Sequence, residues 1–144
     1  MSGPATYEDA NLLLKLYELR REEKLRQARG WFEKTFKVQS LEEAGKIAPP
    51  DSDENAYVRM VTSYWDMAAT LLNTGILHKE LFYQNGFEML GCYARITPIL
   101  AEVRQSFDNP LYLKNLEDAC KEYIDYLERQ KPGLYAQFEK FMRS

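Results

Sequence analysis

The sequence predicts an all-α domain: a bundle of four long helices with short connecting helices and an amphipathic C-terminal helix. Three observations predict it. Apolar residues recur at helical spacing in each long segment, caps and breakers fall between those segments, and no stretch alternates as a strand would. We therefore expect about 65–75% helix and no sheet. The 144 residues suit one domain, and 45% hydrophobic with 28% charged residues is a globular balance. A chain of this size forms a core without needing disulfides or a metal.

Residues 1–6 read as a flexible N-terminus. Thr6 is a good N-cap, with Glu8 and Asp9 in the first turn, where the helix dipole favours acid. From Tyr7 a helical pattern runs without proline to about Phe36, interrupted only by Gly30. Ser40 to Glu43 form a capping box opening a short helix, which Gly45 and the Pro49-Pro50 pair end. Asp51-Ser52-Asp53 caps a second long helix with Tyr57, Val61, Tyr64, Ala68 and Leu71 on its apolar face. Gly75 is its natural stop. After a short helix around Lys79 to Tyr83, Asn85 caps a third long helix reaching about Gln105, with Glu88 at its third position.

Pro98 lies inside that third helix. Its missing N–H leaves the Ala94 carbonyl without a partner, and a kink is expected. Asn109-Pro110 reads as the cap and first-turn proline of a fourth long helix bearing Tyr112, Leu116, Cys120, Tyr123 and Leu127. The bundle thus spans residues 7–129. Lys131-Pro132-Gly133 breaks it, and residues 130–144 form an amphipathic helix, through Leu134, Phe138 and Phe141, docking on the bundle or a partner.

The first helix changes sides. Leu12, Leu16 and Leu19 share one face, whereas Leu25, Ala28, Phe32 and Phe36 lie more than a quarter-turn away. Some 30 residues of helix reach roughly 45 Å, too long for a domain with a radius of gyration near 14–15 Å. One end overhangs, or the helix breaks near Gly30. An overhanging Leu12, Leu16 and Leu19 stripe needs a cover, and a second copy of the chain is the expected one. The alternative is that the C-terminal helix covers it within one chain.

Arg21 falls on the line Leu14, Tyr17, Arg21, Leu25, and an arginine there snorkels out or needs a buried carboxylate. Asp66 is the candidate. Its face holds Thr62, Ser63, Ala69, Thr70 and Asn73 without Lys or Glu. We read Arg21 and Asp66 as a buried ion pair that sets helix register. The alternative is a polar ligand cleft formed by Arg21, Asp66, Thr62, Thr70 and Tyr64.

Other chemistry is excluded or weak. The net charge of −3 leaves no electrostatic footprint for nucleic acid. Between Lys15 and Lys37 eight basic residues are interleaved with four acidic ones, which reads as a salt-bridged face. His78 is the one histidine, so no metal site or di-iron pattern is expected, and no trio reads as catalytic. No cofactor is implied. Cys92 and Cys120 read as reduced core thiols. The N-terminus lacks signal-peptide regions, no apolar run spans a bilayer, and Lys131, Lys140 and Arg143 are weak anchors for membrane-surface association by the tail. A cytoplasmic protein is expected.

Residues 13–23 (Leu13-Leu14-Lys15-Leu16-Tyr17-Glu18-Leu19-Arg20-Arg21-Glu22-Glu23) and 57–68 (Tyr57-Val58-Arg59-Met60-Val61-Thr62-Ser63-Tyr64-Trp65-Asp66-Met67-Ala68) carry a family resemblance. With Leu81-Phe82, the helix near Glu88 and Asn109-Pro110, they resemble a bacterial all-helical family catalogued only as a domain of unknown function. The similarity covers roughly residues 10 to 120 and leaves the tail after Arg129 outside. It implies a bacterial, all-helical domain and carries no catalytic residue to transfer. The expected function is a non-enzymatic interaction or regulatory module, homodimeric, with a small-ligand sensing or sequestering domain as the alternative.

Overall fold

The computed structural model describes residues 3–144, which form eight helices and no strand and are about 75% helical. They are α1 (Tyr7–Arg20), α2 (Glu23–Thr35), α3 (Leu41–Ile47), α4 (Asp53–Asn73), α5 (Lys79–Tyr83), α6 (Phe87–Ser106), α7 (Lys114–Gln130) and α8 (Leu134–Arg143). The centre is α6, whose residues Met89 to Ile96 are all buried. Around it, α4 packs against both α2 and α7, and α8 lies across α6 and α7.

Several ends form as their residues dictate. Thr6 and Asp9 make a reciprocal capping box at α1. Ser40 caps α3 through the Glu43 N–H, while the Glu43 carboxylate reaches one residue further back, to the Gln39 N–H. Ser52 caps α4 through the Asn55 N–H, and Gly75 follows its C-terminus at φ +80°. Gly133 separates α7 from α8 at φ +88°, and the Glu128 carboxylate accepts from the Gly133 and Tyr135 N–H groups.

Three sequence expectations are corrected. The long first helix does break, but at Arg21-Glu22, more than two turns before Gly30, which lies within α2. Glu22 leaves helical geometry at ψ 142°, and its carboxylate caps α2 by accepting from the Lys24 and Leu25 N–H groups. Across the break, Arg29 Nη1 donates to the Arg20 carbonyl at 2.8 Å. Second, Asn85 does not cap α6; its side chain donates to the Leu81 carbonyl, and Gly86 holds the cap position. A methyl group on Gly86 would lie 2.4 Å from the Phe82 ring, so the close approach of α5 to α6 requires glycine here.

Third, Asn109-Pro110 does not open α7. The Asn109 side chain makes a local turn with the Leu111 N–H, and α7 begins only at Lys114. It starts from Leu113, a non-glycine residue in the left-handed region at φ 55° with no capping side chain of its own. Burial of the Leu113 side chain among the core residues holds that conformation.

The break in the first helix also alters the leucine stripe. Leu16 is 3% exposed within a single chain and so is not free to form a subunit contact, while Leu12 is partly buried against the core. Leu19 remains 41% exposed. The tail does not cover them, because α8 sits on α6 and α7, with Phe138 meeting Phe87. Helix α1 is held instead at both ends: Asp9 accepts from the His78 N–H at 2.9 Å, and the Tyr64 hydroxyl donates to the Leu16 carbonyl.

Candidate functional site

The residues expected to form a polar cleft do not converge. Asp66 accepts from the Leu116 N–H at 2.8 Å and lies 3.4 Å from Asn115 Nδ2. Leu116 is at the third position of α7, so Asp66 on α4 supplies the capping carboxylate that Leu113 cannot. Arg21 is exposed and stacks over the Tyr17 ring at 5.6 Å. The Thr62 and Thr70 hydroxyls donate to the Val58 and Asp66 carbonyls of their own helix. The Tyr64 hydroxyl serves Leu16, and burial pushes its pKa up to about 12.

What the fold gathers is a different charged cluster, where α2, α4 and α6 meet behind the break between α1 and α2. Glu88 on α6 forms a two-pronged pair with Arg29, at 2.5 Å to Nε and 2.8 Å to Nη2. Arg20 lies 3.8 Å from the same carboxylate and stacks over Trp65. The hydrogen bond to Glu88 raises the Arg29 pKa further. Glu33 completes the cluster at its solvent-exposed edge; partial desolvation, then the charge of Glu88, pushes its carboxyl above the ordinary range.

Arg95 is the exception in this group. It is 8% exposed, its Nε is buried, and among the described residues it makes no hydrogen bond or ion pair. Burial pulls its pKa down, opposed by Glu33. Together with Arg29, Glu33 and Glu88 it lines a cavity of about 10 Å³ walled by Phe32, Val61, Trp65 and Cys92. Gly91, one turn earlier, leaves room for Arg95 Nη1 and Met142 Sδ, which stand 3.5 and 3.2 Å from where a methyl group would lie. The sequence signal for this cluster was only the dense run of basic residues before Phe32; nothing in their order pointed to Glu88 or Arg95.

A second concavity is apolar. Phe36, Val58, Ile96, Ile99 and Val103 line an open cavity of about 680 Å³, with Asn55, Arg59 and Tyr112 among its polar groups. Thr62 is in its wall; Asp66 and Arg21 are not among its lining residues. Cys92 and Cys120 are buried free thiols whose pKa values are driven up by desolvation, and no group of His, Cys, Asp and Glu among the described residues could hold a metal ion.

The structure thus defines an all-helical domain whose polar residues brace helix ends. A family described as a domain of unknown function, DUF4760, matches residues 5–121, and the chain belongs to it. The match ends within α7 and leaves α8 outside. No curated protein and no solved structure matches the chain. No helix is long and apolar enough to cross a membrane among the described residues.

Proposed function

We propose that the domain is a non-enzymatic interaction module that pairs with a second copy through the outward face of α1. The observation that carries this is the exposure of Tyr7 (89%), Leu14 (63%) and Tyr17 (49%) on one helix. With Ala10 and Arg21 they recur at alternating intervals of three and four residues, the seam by which two helices pack. Acidic Glu8 stands at one end of α1 and basic Arg21 just past the other, so antiparallel pairing brings unlike charges together. Light scattering tests it: the expected mass is twice the 16.9 kDa chain. Leu14→Glu with Tyr17→Glu should halve that mass while the chain still unfolds cooperatively, its melting temperature lowered only by what pairing contributes. A wild-type monomer at high protein concentration overturns the reading.

A small-ligand domain is the second reading, favoured by the 680 Å³ apolar cavity, a size within the usual ligand range of about 300–1,000 Å³. Anilinonaphthalene sulfonate, apolar with one anionic group, is a suitable probe. Its fluorescence should rise on binding, and Val58→Trp should abolish the rise. The reading extends to a bacterial protein of the cytoplasm, supported by the family resemblance and by two thiols left free, as a reducing compartment keeps them.

A further inference from the structure

We propose that the cavity between α2, α4 and α6 binds a single monatomic anion of chloride or bromide type on the Arg95 guanidinium. Arg95 is more than nine-tenths buried, and a guanidinium is a fork of N–H donors with no acceptor. Its Nε is buried with no partner among the described residues, and buried polar groups in folded proteins are almost always satisfied. The nearby carboxylates do not meet this need. Glu88 is held by Arg29 and Arg20, and Glu33 makes no ion pair with Arg95 among the described residues.

Charge and size then select the ligand. Arg20, Arg29 and Arg95 face only Glu33 and Glu88, so the cluster carries one positive charge in excess. The cavity of about 10 Å³ holds one water-sized species. That excludes phosphate and sulfate and leaves one monovalent, monatomic ion. The walls of Phe32, Val61, Trp65 and Cys92 offer little to a strongly hydrated ion, which favours chloride or bromide over fluoride.

The test is thermal unfolding of the full chain at constant ionic strength, with sodium bromide or chloride replacing sodium gluconate. A ligand that binds only the folded state stabilises it by mass action, and a rise of about 3–6 °C is expected when the halide is well above its dissociation constant. Arg95→Met should remove the halide dependence, its apolar side chain filling the same space. Glu33→Gln should strengthen it, because a carboxylate facing the anion is neutralised. Crystals grown in bromide should show an anomalous peak within hydrogen-bond distance of Arg95 Nε. Equal melting temperatures in halide and gluconate overturn the proposal. So does a crystal showing the Glu33 carboxylate or a water on Nε, or a Glu33→Gln variant that is destabilised and indifferent to halide.

Discussion

Arg143 Nε donates to the Ala94 carbonyl at 2.9 Å. That carbonyl is the one Pro98, four residues on, cannot serve, and Ala94 is fully buried in the centre of α6. A residue in the last turn of α8 therefore completes the hydrogen bonding of the central helix. This gives the tail a defined register on α6, with Met142 over Gly91 and Phe138 against Phe87.

Arg143→Ala should therefore lower stability by about 1–3 kcal/mol, the cost of stranding a buried acceptor. Pro98→Ala restores the missing N–H, so the same Arg143→Ala change should cost less in that background. Urea unfolding of the four proteins measures the coupling. Strictly additive effects would mean that Arg143 does not act through this carbonyl.

Asp66 and Arg21 should behave independently. Asp66→Ala removes the cap of α7 and should cost about 1 kcal/mol, with up to about 2 kcal/mol at sites of this kind. Arg21→Ala changes an exposed side chain and should stay within about 0.5 kcal/mol. The double variant should equal the sum. A coupling above about 0.5 kcal/mol would restore the ion pair suggested by the sequence.

Two leucines two residues apart on α1 should respond in opposite ways. Leu16→Glu places a charge in the core beside the Tyr64 contact and should prevent folding, read as loss of cooperative unfolding. Leu14→Glu should keep cooperative unfolding, lose only the stability that pairing contributes, and reduce the mass in solution. A soluble, folded Leu16→Glu monomer would contradict the burial of that side chain.

Glu33 sets a pH dependence whose sign is opposite to that of a paired carboxylate. Its side chain is partly exposed, and its folded pKa is raised from the ordinary 4.5 by partial desolvation and then by Glu88. The folded chain holds this proton more tightly than the unfolded one, so stability falls as pH rises from about 4.5 through the raised value. Glu33→Gln should melt slightly higher than the wild type at pH 7, solvent screening keeping the gain small, and the gain should vanish below 4.5. A variant less stable than wild type at pH 7 would mean that the carboxylate has a favourable partner.

The two cysteines should be inert until the chain unfolds. Burial drives both thiols toward the protonated form, which is not the nucleophile. Ellman's reagent should find no thiol in the native protein and two after denaturation. Rapid native labelling would show that α6 and α7 separate readily.

The sequence by itself determined the helical class, most helix ends and the existence of an unpartnered Ala94 carbonyl. Thr6, Ser40, Ser52, Gly75 and Gly133 act through atoms within a few residues, so their effect is readable locally. The face change between Leu16 and Leu25 left an overhang and a break near Gly30 both open. Tertiary structure alone decided where that break falls, because Glu22 is an unusual cap and the Arg29–Glu88 pair bracing it joins residues 59 positions apart. It also decided what answers each orphan group: Asp66 the start of α7, Arg143 the carbonyl of Ala94. A polar side chain satisfies whichever group the packing brings within about 3 Å, and linear spacing carries no record of that approach.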